Sequence, residues 1–318
     1  MTIDLTDTTT GAISGALTEA RRRLGGMTMG MVLTLIIVTD EAAQYDAIRA
    51  ANQAAREHPM RILTIITRKA KADSRLDAEI RVGESSPGET IVLRMYGPLG
   101  QHADSVAAPL LVPDVPVVTW WPENGPDVPS AHPLGALAQR RVTDSASADA
   151  PREVLASLAR VYRPGDTDFG WTRATPWRSL LAATLDQPHP QLQAGEVSAE
   201  ADNPSADLIA AWLSLRLTIP VRRTASGGPG VTRVTFTTSD GDITISRPDG
   251  RTATLSWPGR PDRTVALHRR ESAELLAEEL RRLDPDELYA ETLERLDAPG
   301  IDVAPEPDPE PEPAGTPE

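Results

Sequence analysis

A strand–helix–strand pattern near the start of the chain restricts the fold more than any other feature of the sequence. Met29–Val38 and Met60–Thr67 are short, mainly apolar runs with the length of buried strands. Between them, Asp40 is placed to cap a helix predicted over Glu41–Glu57, which ends before Pro59. A crossover of about twenty residues between two strands is typical of a parallel pair. The pattern therefore predicts an α/β fold.

The segments that follow complete a first domain, which we predict over residues 1–165. Leu76–Gly83 and Glu89–Tyr96 are expected to pair as antiparallel strands, because Ser85–Gly88 between them favours a turn. The other predicted elements are helices over Ile13–Leu24, Leu99–Leu111 and Pro151–Tyr162, and strands over Val115–Thr119 and Arg141–Asp144. Parallel and antiparallel strands together predict an α/β domain with a mixed sheet.

A second domain is predicted over residues 166–300, after the turn-forming segment Arg163–Asp166. Ser239–Gly241 and Pro248–Gly250 supply the glycine that hairpin turns need, so the runs around them are predicted to form an antiparallel meander. The runs are Val231–Thr237, Asp242–Arg247, Thr252–Trp257 and Arg263–Leu267; the predicted helices are Pro176–Leu185, Ser205–Leu217 and Ser272–Leu283, with a loop at Gln187–Pro204. These elements predict an α+β domain. The Pro- and Glu-rich residues 301–318 are predicted to form a disordered acidic tail.

Charge and cysteine content exclude several classes of function. The chain has 46 acidic and 32 basic residues and a formal net charge of -14, which disfavours nucleic acid and anionic membranes as partners. It has no cysteine, which excludes disulfides and thiol catalysis. No signal peptide is recognised, and the most apolar run, Met27–Val38, is shorter than the roughly 20 residues that span a bilayer. We therefore expect a soluble, cytoplasmic protein.

Sequence signals for a cofactor, a metal or catalysis are weak. Gly227–Gly230 lacks the phosphate-loop pattern and precedes a strand instead of a helix. None of the five histidines stands at a spacing typical of zinc ligands. Asp166 and Asp168, together with Asp144, offer carboxylates for Mg²⁺ or for acid–base chemistry, but a simple turn at 166–168 is the favoured interpretation. We therefore expect no cofactor, no metal and no catalytic residue.

Tryptophans are concentrated in the middle of a chain that is poor in aromatic residues. Trp120, Trp121, Trp171 and Trp177 are four of the six tryptophans. Since neighbouring residues of a strand face opposite sides, Trp120 and Trp121 cannot share one core layer. One of them should pack under a loop or project into a cleft or an interface. A core at the domain junction and a surface that binds a partner are both consistent with this pattern.

Arginines lie between and beside these tryptophans. Arg140 and Arg141, with Arg173 and Arg178, form either a basic patch that attracts anions or a structural network. In the network, which we favour, they pair with the three nearby carboxylates, those of Asp144, Asp166 and Asp168. The alternative is an arginine-lined cleft that binds a sugar phosphate.

Four co-linear blocks of the sequence resemble one known family. They are TWWP (Thr119–Pro122), HPLGALAQRRVTDS (His132–Ser145), YRPGDTDFGWTR (Tyr162–Arg173) and PWRSLLAATLD (Pro176–Asp186). Their order and content are similar to the actinobacterial glucose-6-phosphate dehydrogenase assembly proteins, the OpcA family. A looser resemblance extends over most of residues 30–300.

The resemblance implies a regulatory subunit without catalytic residues. Members of this family bind glucose-6-phosphate dehydrogenase, promote its active oligomer and so raise NADPH production in the oxidative pentose phosphate pathway. In cyanobacterial relatives, cysteines connect this role to redox state, and this chain has none. The tryptophan and arginine blocks are then family signatures, either because they hold the fold or because they contact the dehydrogenase. A sensor or an enzyme that binds a sugar phosphate remains the alternative.

Overall fold

The computed structural model describes residues 1–23, 30–68, 72–83, 88–296 and 303–304. They form two compact units, of which the first contains Met1–Thr175 and Arg270–Asp297. The second contains Pro176–Arg269 and the short strand Val303–Ala304. From the sequence we expected a boundary at residue 165 and one continuous second domain. The structure instead divides the chain after Thr175, and the segment that begins at Arg270 returns to the first unit.

Two sheets contain all the strands of the described residues. The first sheet consists of β1 (Thr2–Leu5), β2 (Leu33–Thr39), β3 (Met60–Arg68), β4 (Arg75–Val82), β5 (Gly88–Tyr96), β6 (Val117–Trp120), β7 (Arg140–Thr143) and β8 (Asp166–Asp168). The second consists of β9 (Leu192–Ala199), β10 (Val221–Ala225), β11 (Val231–Thr238), β12 (Gly241–Ser246), β13 (Thr252–Trp257), β14 (Arg260–Ala266) and β15 (Val303–Ala304).

Helices flank both sheets. They are α1 (Thr10–Arg23), α2 (Gln44–Ala54), α3 (Ala103–Ala107), α4 (Pro133–Ala136), α5 (Pro151–Val161), α6 (Phe169–Leu185), α7 (Pro204–Leu217), α8 (Ser272–Arg281) and α9 (Glu287–Leu296). The division between the two units falls within α6. Among the described residues, no helix is long and apolar enough to cross a bilayer.

The first sheet is doubly wound. Its strand order is β1-β4-β5-β3-β2-β6-β7-β8, and the six strands from β5 to β8 in this order are parallel. Strands β1 and β4 are antiparallel to their neighbours, so the predicted mixed sheet is confirmed. Counted along the chain, the parallel strands follow the order 3-2-1-4-5-6, with a switch of direction between β2 and β6. Sheets of this order bind ligands at the switch point, beyond the carboxyl ends of the strands.

Strand β2 has core on both faces of the sheet. Leu33, Leu35 and Ile37 face a core that includes residues of α2 and α8. Ile36 faces the opposite core, which includes α1 and α3. Because both faces are covered, the strand is a continuous apolar run without alternation. This explains why the sequence predicted a buried strand here.

Most element predictions for residues 1–162 are confirmed in type, with two differences. The helix predicted over Leu99–Leu111 is the short helix α3 between two 3-10 turns. Pro98 and Pro109 are the second residues of those turns and lack an amide hydrogen, so a continuous helix cannot include Pro109 without losing a hydrogen bond. Strand β1 and helix α4 have no counterpart among the predicted elements. The predicted ends at Leu24 and Met29 and the turn residues 85–87 lie outside the described residues.

Around residue 166 the sequence prediction was wrong. Asp166–Asp168 is the edge strand β8 and not a turn; only Pro164 and Gly165 turn. Helix α6 begins at Phe169 and not at Pro176, which lies inside it. Pro176 cannot donate to the carbonyl oxygen of Thr172, and Arg270 donates to that oxygen from 3.4 Å. The helix therefore continues through the proline.

In the second unit, the predicted meander is confirmed. Strands β11 to β14 are joined in sequence as antiparallel neighbours. The loop predicted over Gln187–Pro204 was wrong, because it contains β9, which lies between β10 and β11. Its buried positions include Gly195 and Ala199, whose small side chains give little hydrophobic signal. Within the predicted tail, Val303–Ala304 pair with β10; its other residues lie outside the described part.

Candidate functional site

The ten residues singled out from the sequence belong to both units. Trp120, Trp121, Arg140, Arg141, Asp166, Asp168, Trp171 and Arg173 lie in the first unit, and Trp177 and Arg178 lie in the second. In the first unit they occupy β6, β7, β8 and the first turns of α6. We describe the two groups separately.

Arg140 begins β7 and is buried against α8. Its Nε donates to Glu279 Oε2 over 2.8 Å, and its Nη1 donates to the carbonyl oxygen of Asp284 over 3.1 Å. Arg140 and Glu279 are each 5% exposed. Glu279 also accepts hydrogen bonds from the hydroxyls of Thr167 and Thr172. A buried arginine whose charge is matched in this way is not available to an anion.

Arg141 forms an ion pair with Asp166 of the neighbouring strand. Its other donors bind the carbonyl oxygens of Ala138 at 2.9 Å and Pro164 at 2.6 Å. Burial raises the pKa of Asp166 above its ordinary value, although Arg141 opposes this by a hydrogen bond. Gly165 has φ 95° in this turn, and a Cβ there would lie 2.4 Å from the carbonyl oxygen of Gln139. The glycine is therefore required beside the ion pair.

Asp144 and Asp168 are the other two carboxylates of the predicted network. Arg173 binds Asp144 with two hydrogen bonds of 2.6 Å. Asp168 is fully buried and accepts four hydrogen bonds of 2.8 Å, from the hydroxyl of Thr143, the amide and hydroxyl of Ser145, and the amide of Gly170. Burial, followed by the charge of Asp144, raises the pKa of Asp168.

The arginines of the first unit therefore form a network and not an open basic patch. The sequence favoured pairing of these arginines with Asp144, Asp166 and Asp168; the ion pairs Arg141–Asp166 and Arg173–Asp144 are present, whereas Asp168 accepts its hydrogen bonds from hydroxyl and amide groups. Sequence reasoning missed Glu279, because no local signal connects it with Arg140. Within the described residues, no three groups of the kind that ligate metals stand together.

Trp120 and Trp121 are both buried, at 2% exposure, on opposite sides of β6. Trp120 packs against Phe169, with ring centroids 5.6 Å apart, and its indole Nε1 is buried without a hydrogen-bond partner. Trp121 meets the ring of His132 edge-on at 5.4 Å. Gly135 approaches it so closely that a Cβ there would lie 3.2 Å from Cη2 of Trp121. Trp121 thus packs under the segment 129–138, which is one of the alternatives stated above.

Trp171 is anchored within the first unit. Its Nε1 donates to Asp286 over 2.8 Å, and its ring lies 5.5 Å from that of Tyr289 on α9. Tyr289 is itself buried, and burial raises its pKa well above the usual value. Trp171 therefore connects the start of α6 with α9.

Trp177 and Arg178 lie in the second unit. Trp177 is 2% exposed, and the guanidinium of Arg247 lies over its ring at 5.1 Å from the centroid. Burial lowers the pKa of Arg247 to about 10. Arg178 is half-buried.

A crevice of about 520 Å³ opens in the first unit, at the switch point of the sheet. It lies beside α2, beyond the carboxyl ends of β6 and β7, and next to the start of α8. Its lining residues are Ala43, Asp46, Ala47, Arg49, Ala50, Gln53, Trp120, Pro122, Glu123, Asp144, Ser147, Glu271, Ser272 and Ala273. Four of these residues are acidic and one is basic, so the crevice favours cations over anions.

The turn between β2 and α2 lacks the features of a phosphate-binding turn. Where a doubly wound sheet holds a dinucleotide, a glycine-rich turn brings free amide groups to the pyrophosphate. Here the turn Thr39–Ala43 has no glycine. Asp40 was predicted to cap this helix, but α2 begins only at Gln44 and its N-cap residue, Ala43, makes no side-chain capping hydrogen bond. Oδ1 of Asp40 instead accepts from the amides of Ala42 and Ala43, in the turn before the helix, at 2.8 and 2.9 Å. The turn thus places a carboxylate where a phosphate-binding turn has glycine.

Comparison with known families decides what this chain is related to. Residues 51–160 match the family described as the glucose-6-phosphate dehydrogenase subunit N-terminal domain, OpcA_G6PD_assem. Residues 164–293 match the corresponding C-terminal domain, OpcA_G6PD_C. The chain belongs to the OpcA family of glucose-6-phosphate dehydrogenase subunits. In this OpcA chain the network and crevice residues described above fall in the two matched regions, apart from the five crevice residues that precede residue 51.

Solved structures resemble the OpcA chain only distantly. KijD10, a 3-ketoreductase from Actinomadura kijaniata in complex with NADP, is 12% identical with a TM-score of 0.46, over 86% of this chain and 99% of that chain. An NAD-binding oxidoreductase from Klebsiella pneumoniae is 8% identical with a TM-score of 0.38, over 86% of this chain and 96% of that chain. No curated protein sequence matches.

Proposed function

We propose that this chain is a non-catalytic subunit that binds glucose-6-phosphate dehydrogenase and promotes its active oligomer. It would act in the cytoplasm and raise NADPH production by the enzyme that it binds. The observation that carries this proposal is the match of both domains, over residues 51–293, to families named for subunits of that dehydrogenase.

The chemistry of the switch point supports a role without catalysis. The sheet has the strand order of dinucleotide-binding enzymes, but the turn before α2 has no glycine and the crevice is acidic. A pyrophosphate there would lie among carboxylates of the same sign of charge. The position where such sheets bind ligands is thus lined here by side chains that disfavour a dinucleotide.

The arginine-lined cleft for a sugar phosphate finds no support in the geometry. Arg140 is paired with Glu279. Arg141 is paired with Asp166, and Arg173 with Asp144. Arg178 lies in the other unit. Binding a phosphate on these arginines would break buried ion pairs, which is costly.

Promotion of an active oligomer requires a difference in affinity. A subunit that binds two states of an enzyme equally shifts nothing, whereas tenfold tighter binding to one state contributes about 1.4 kcal/mol in its favour. We therefore expect this chain to bind the active assembly of the dehydrogenase more tightly than its other forms.

A titration of the purified dehydrogenase with the full chain tests this proposal. We expect a complex in size-exclusion chromatography with light scattering, a shift toward the larger dehydrogenase assembly, and a lower apparent KM for glucose 6-phosphate. Unchanged assembly and kinetics at saturating chain would overturn the proposal. Calorimetry of the chain alone with glucose 6-phosphate, 6-phosphogluconate and NADP⁺ tests the alternative, for which heats that Arg173→Ala abolishes would be required.

A further inference from the structure

We propose that the crevice at the switch point is the docking site for a basic peptide segment of the dehydrogenase. This inference rests on the proposed function and names the surface and the partner chemistry. Ligands of doubly wound sheets bind at this position, because two neighbouring crossovers leave in opposite directions and open a gap between them. In this chain the gap is present, with a volume of about 520 Å³. Unlike a phosphate-binding site, it is lined by four acidic residues and one basic residue.

The crevice carries excess negative charge. Asp144 is compensated by Arg173, and Asp46 by Arg49 one turn later on α2. In the part of the chain that the structure describes, Glu123 and Glu271 form no ion pair, and both are exposed, although the side chain of Glu271 accepts a hydrogen bond from the amide of Glu274 in the capping box of α8. They approach the crevice from different segments, after β6 and at the N-cap of α8. Two carboxylates on separate elements fit a cation that enters between them.

Two aromatic side chains add a second, independent indication of a peptide. Trp120 lines the crevice, is 2% exposed, and has an indole Nε1 without an acceptor. A buried donor of this kind is normally satisfied, and because its accessible surface is almost nil, an occupant with an acceptor satisfies it only when the indole turns toward the crevice. Tyr45 does not line the crevice but stands between the lining residues Ala43 and Asp46 in the chain and is 64% exposed. Exposed tyrosines of this kind are enriched in protein interfaces, where they stack on arginine and lysine.

A basic peptide combines the properties that this crevice selects. Its guanidinium or ammonium groups can pair with the carboxylates of Glu123 and Glu271, and its backbone carbonyl groups supply hydrogen-bond acceptors. The aliphatic parts of its arginine or lysine side chains can pack on an aromatic ring. Nucleotides and sugar phosphates are anions, which the acidic lining of the crevice disfavours, and the turn before α2 has no glycine-rich phosphate-binding sequence. The occupant is therefore a protein segment and not a metabolite of the dehydrogenase reaction.

The test compares two double variants with the same change of net charge. Glu123→Lys/Glu271→Gln alters the crevice, and Glu291→Lys/Glu287→Gln alters two exposed glutamates on α9. Glu271 is the N-cap of α8 and Glu287 is the first residue of α9, so both glutamates lie near a helix start. We expect the crevice variant to bind the dehydrogenase at least about tenfold more weakly than the wild type, with a smaller dependence on salt. The control should bind like the wild type.

The outcomes separate this inference from the proposed function. If the wild-type chain does not bind the dehydrogenase, the proposed function fails. If the wild type binds and the crevice variant binds equally well, the crevice is not the docking site while the proposed function stands. Equal weakening of both double variants would show a general charge effect and would also overturn the inference. Melting temperatures of all three proteins identify any variant that fails to fold, and Glu123→Gln alone, at an exposed position, then replaces it.

A spectroscopic measurement tests the role of Trp120 directly. In the chain labelled with fluorotryptophan, Trp120→Phe assigns the ¹⁹F resonance of Trp120. We expect the dehydrogenase to shift or broaden that resonance at a lower concentration in the wild type than in the crevice variant. A shift on addition of NADP⁺, with none on addition of the dehydrogenase, would overturn the peptide assignment.

Discussion

Arg140 of β7 and Glu279 of α8 form a buried ion pair although 139 residues separate them in the chain. Glu279 accepts hydrogen bonds from Arg140, Thr167 and Thr172, which belong to β7, β8 and α6. One carboxylate therefore joins three elements of the first unit to a helix that the chain adds only after the entire meander. This explains why Arg270–Asp297 belongs to the first unit and not to the unit that precedes it in sequence.

Removing this carboxylate should strongly destabilise the first unit. We expect Glu279→Gln to lower the free energy of unfolding by about 3 to 5 kcal/mol, because the charge of Arg140 would remain buried without a partner. Urea denaturation, monitored by tryptophan fluorescence, measures this free energy of unfolding. Glu291→Gln, on the exposed face of α9, should change the stability by less than about 0.5 kcal/mol. Equal stability of the two variants would show that the ion pair contributes little.

Gly135 should not tolerate the smallest possible side chain. A Cβ at this position would lie 1.9 Å from the carbonyl oxygen of Pro129 and 3.2 Å from Cη2 of Trp121. Although alanine is favoured over glycine inside helices, the backbone of Pro129 cannot move aside cheaply. We expect Gly135→Ala to lower the free energy of unfolding by about 1 to 3 kcal/mol.

Gly15 provides the matched control. It also lies in a helix, α1, but it is exposed and a Cβ there would meet nothing within 4 Å. Gly15→Ala should therefore raise the free energy of unfolding by about 0.5 to 1 kcal/mol. Thermal denaturation of both variants shows whether each substitution raises or lowers the stability. A stabilising Gly135→Ala would contradict the close approach to Trp121.

Asp168 should make the stability depend on pH. Its pKa is raised in the folded protein by burial and by the charge of Asp144, in spite of the hydrogen bonds that it accepts. Between that raised pKa and the ordinary value of about 3.9, the folded protein binds a proton that the unfolded chain does not. The contribution of this group to stability therefore increases as pH falls through this range and is lost as pH rises.

The comparison with Asp168→Asn isolates this effect. We expect the free energy of unfolding of the wild type, minus that of Asp168→Asn, to increase as the pH is lowered from neutral toward 3.9. At neutral pH the variant should be less stable by about 1 to 3 kcal/mol, because an amide cannot accept all four hydrogen bonds. Urea denaturation over a series of pH values measures both quantities. A difference that does not change with pH would contradict the raised pKa.

The sequence predicted local features of this fold better than distant ones. The crossover from β2 to β3 and the meander β11–β14 were predicted, because the spacing of apolar residues and the glycines of turns are visible in short stretches of sequence. Strand β9 was missed, since it buries Gly195 and Ala199 and its strongest contacts are to strands that follow later. The order 3-2-1-4-5-6 could not be predicted, because strand order depends on packing between segments far apart in the chain.

The candidate site shows the same division. The pairs Arg141–Asp166 and Arg173–Asp144 could be foreseen, because the partners lie within thirty residues of each other on adjacent elements. The partner of Arg140 could not, since it comes from the returning helix α8. The crevice was missed for the same reason, because its walls come from α2, β6, β7 and α8.

Trp121 and Tyr45 should respond in opposite ways to replacement by alanine. Trp121 is 2% exposed and packs under the segment 129–138, so Trp121→Ala should lower the free energy of unfolding by about 3 to 5 kcal/mol. Where the variant is still folded, its affinity for the dehydrogenase should be nearly that of the wild type. Tyr45 is 64% exposed, so Tyr45→Ala should leave the stability within about 0.5 kcal/mol.

If Tyr45 lies at the docking site, Tyr45→Ala should weaken binding of the dehydrogenase by about 10- to 30-fold, as replacement of an interface tyrosine does. Melting temperatures and affinities of the two variants, measured on the same preparations, separate a core residue from an interface residue. Tight binding by Tyr45→Ala together with weak binding by folded Trp121→Ala would place the interface on the side of the sheet that Trp121 occupies. In that case the dehydrogenase would bind over the segment 129–138, and the acidic crevice would not be its docking site.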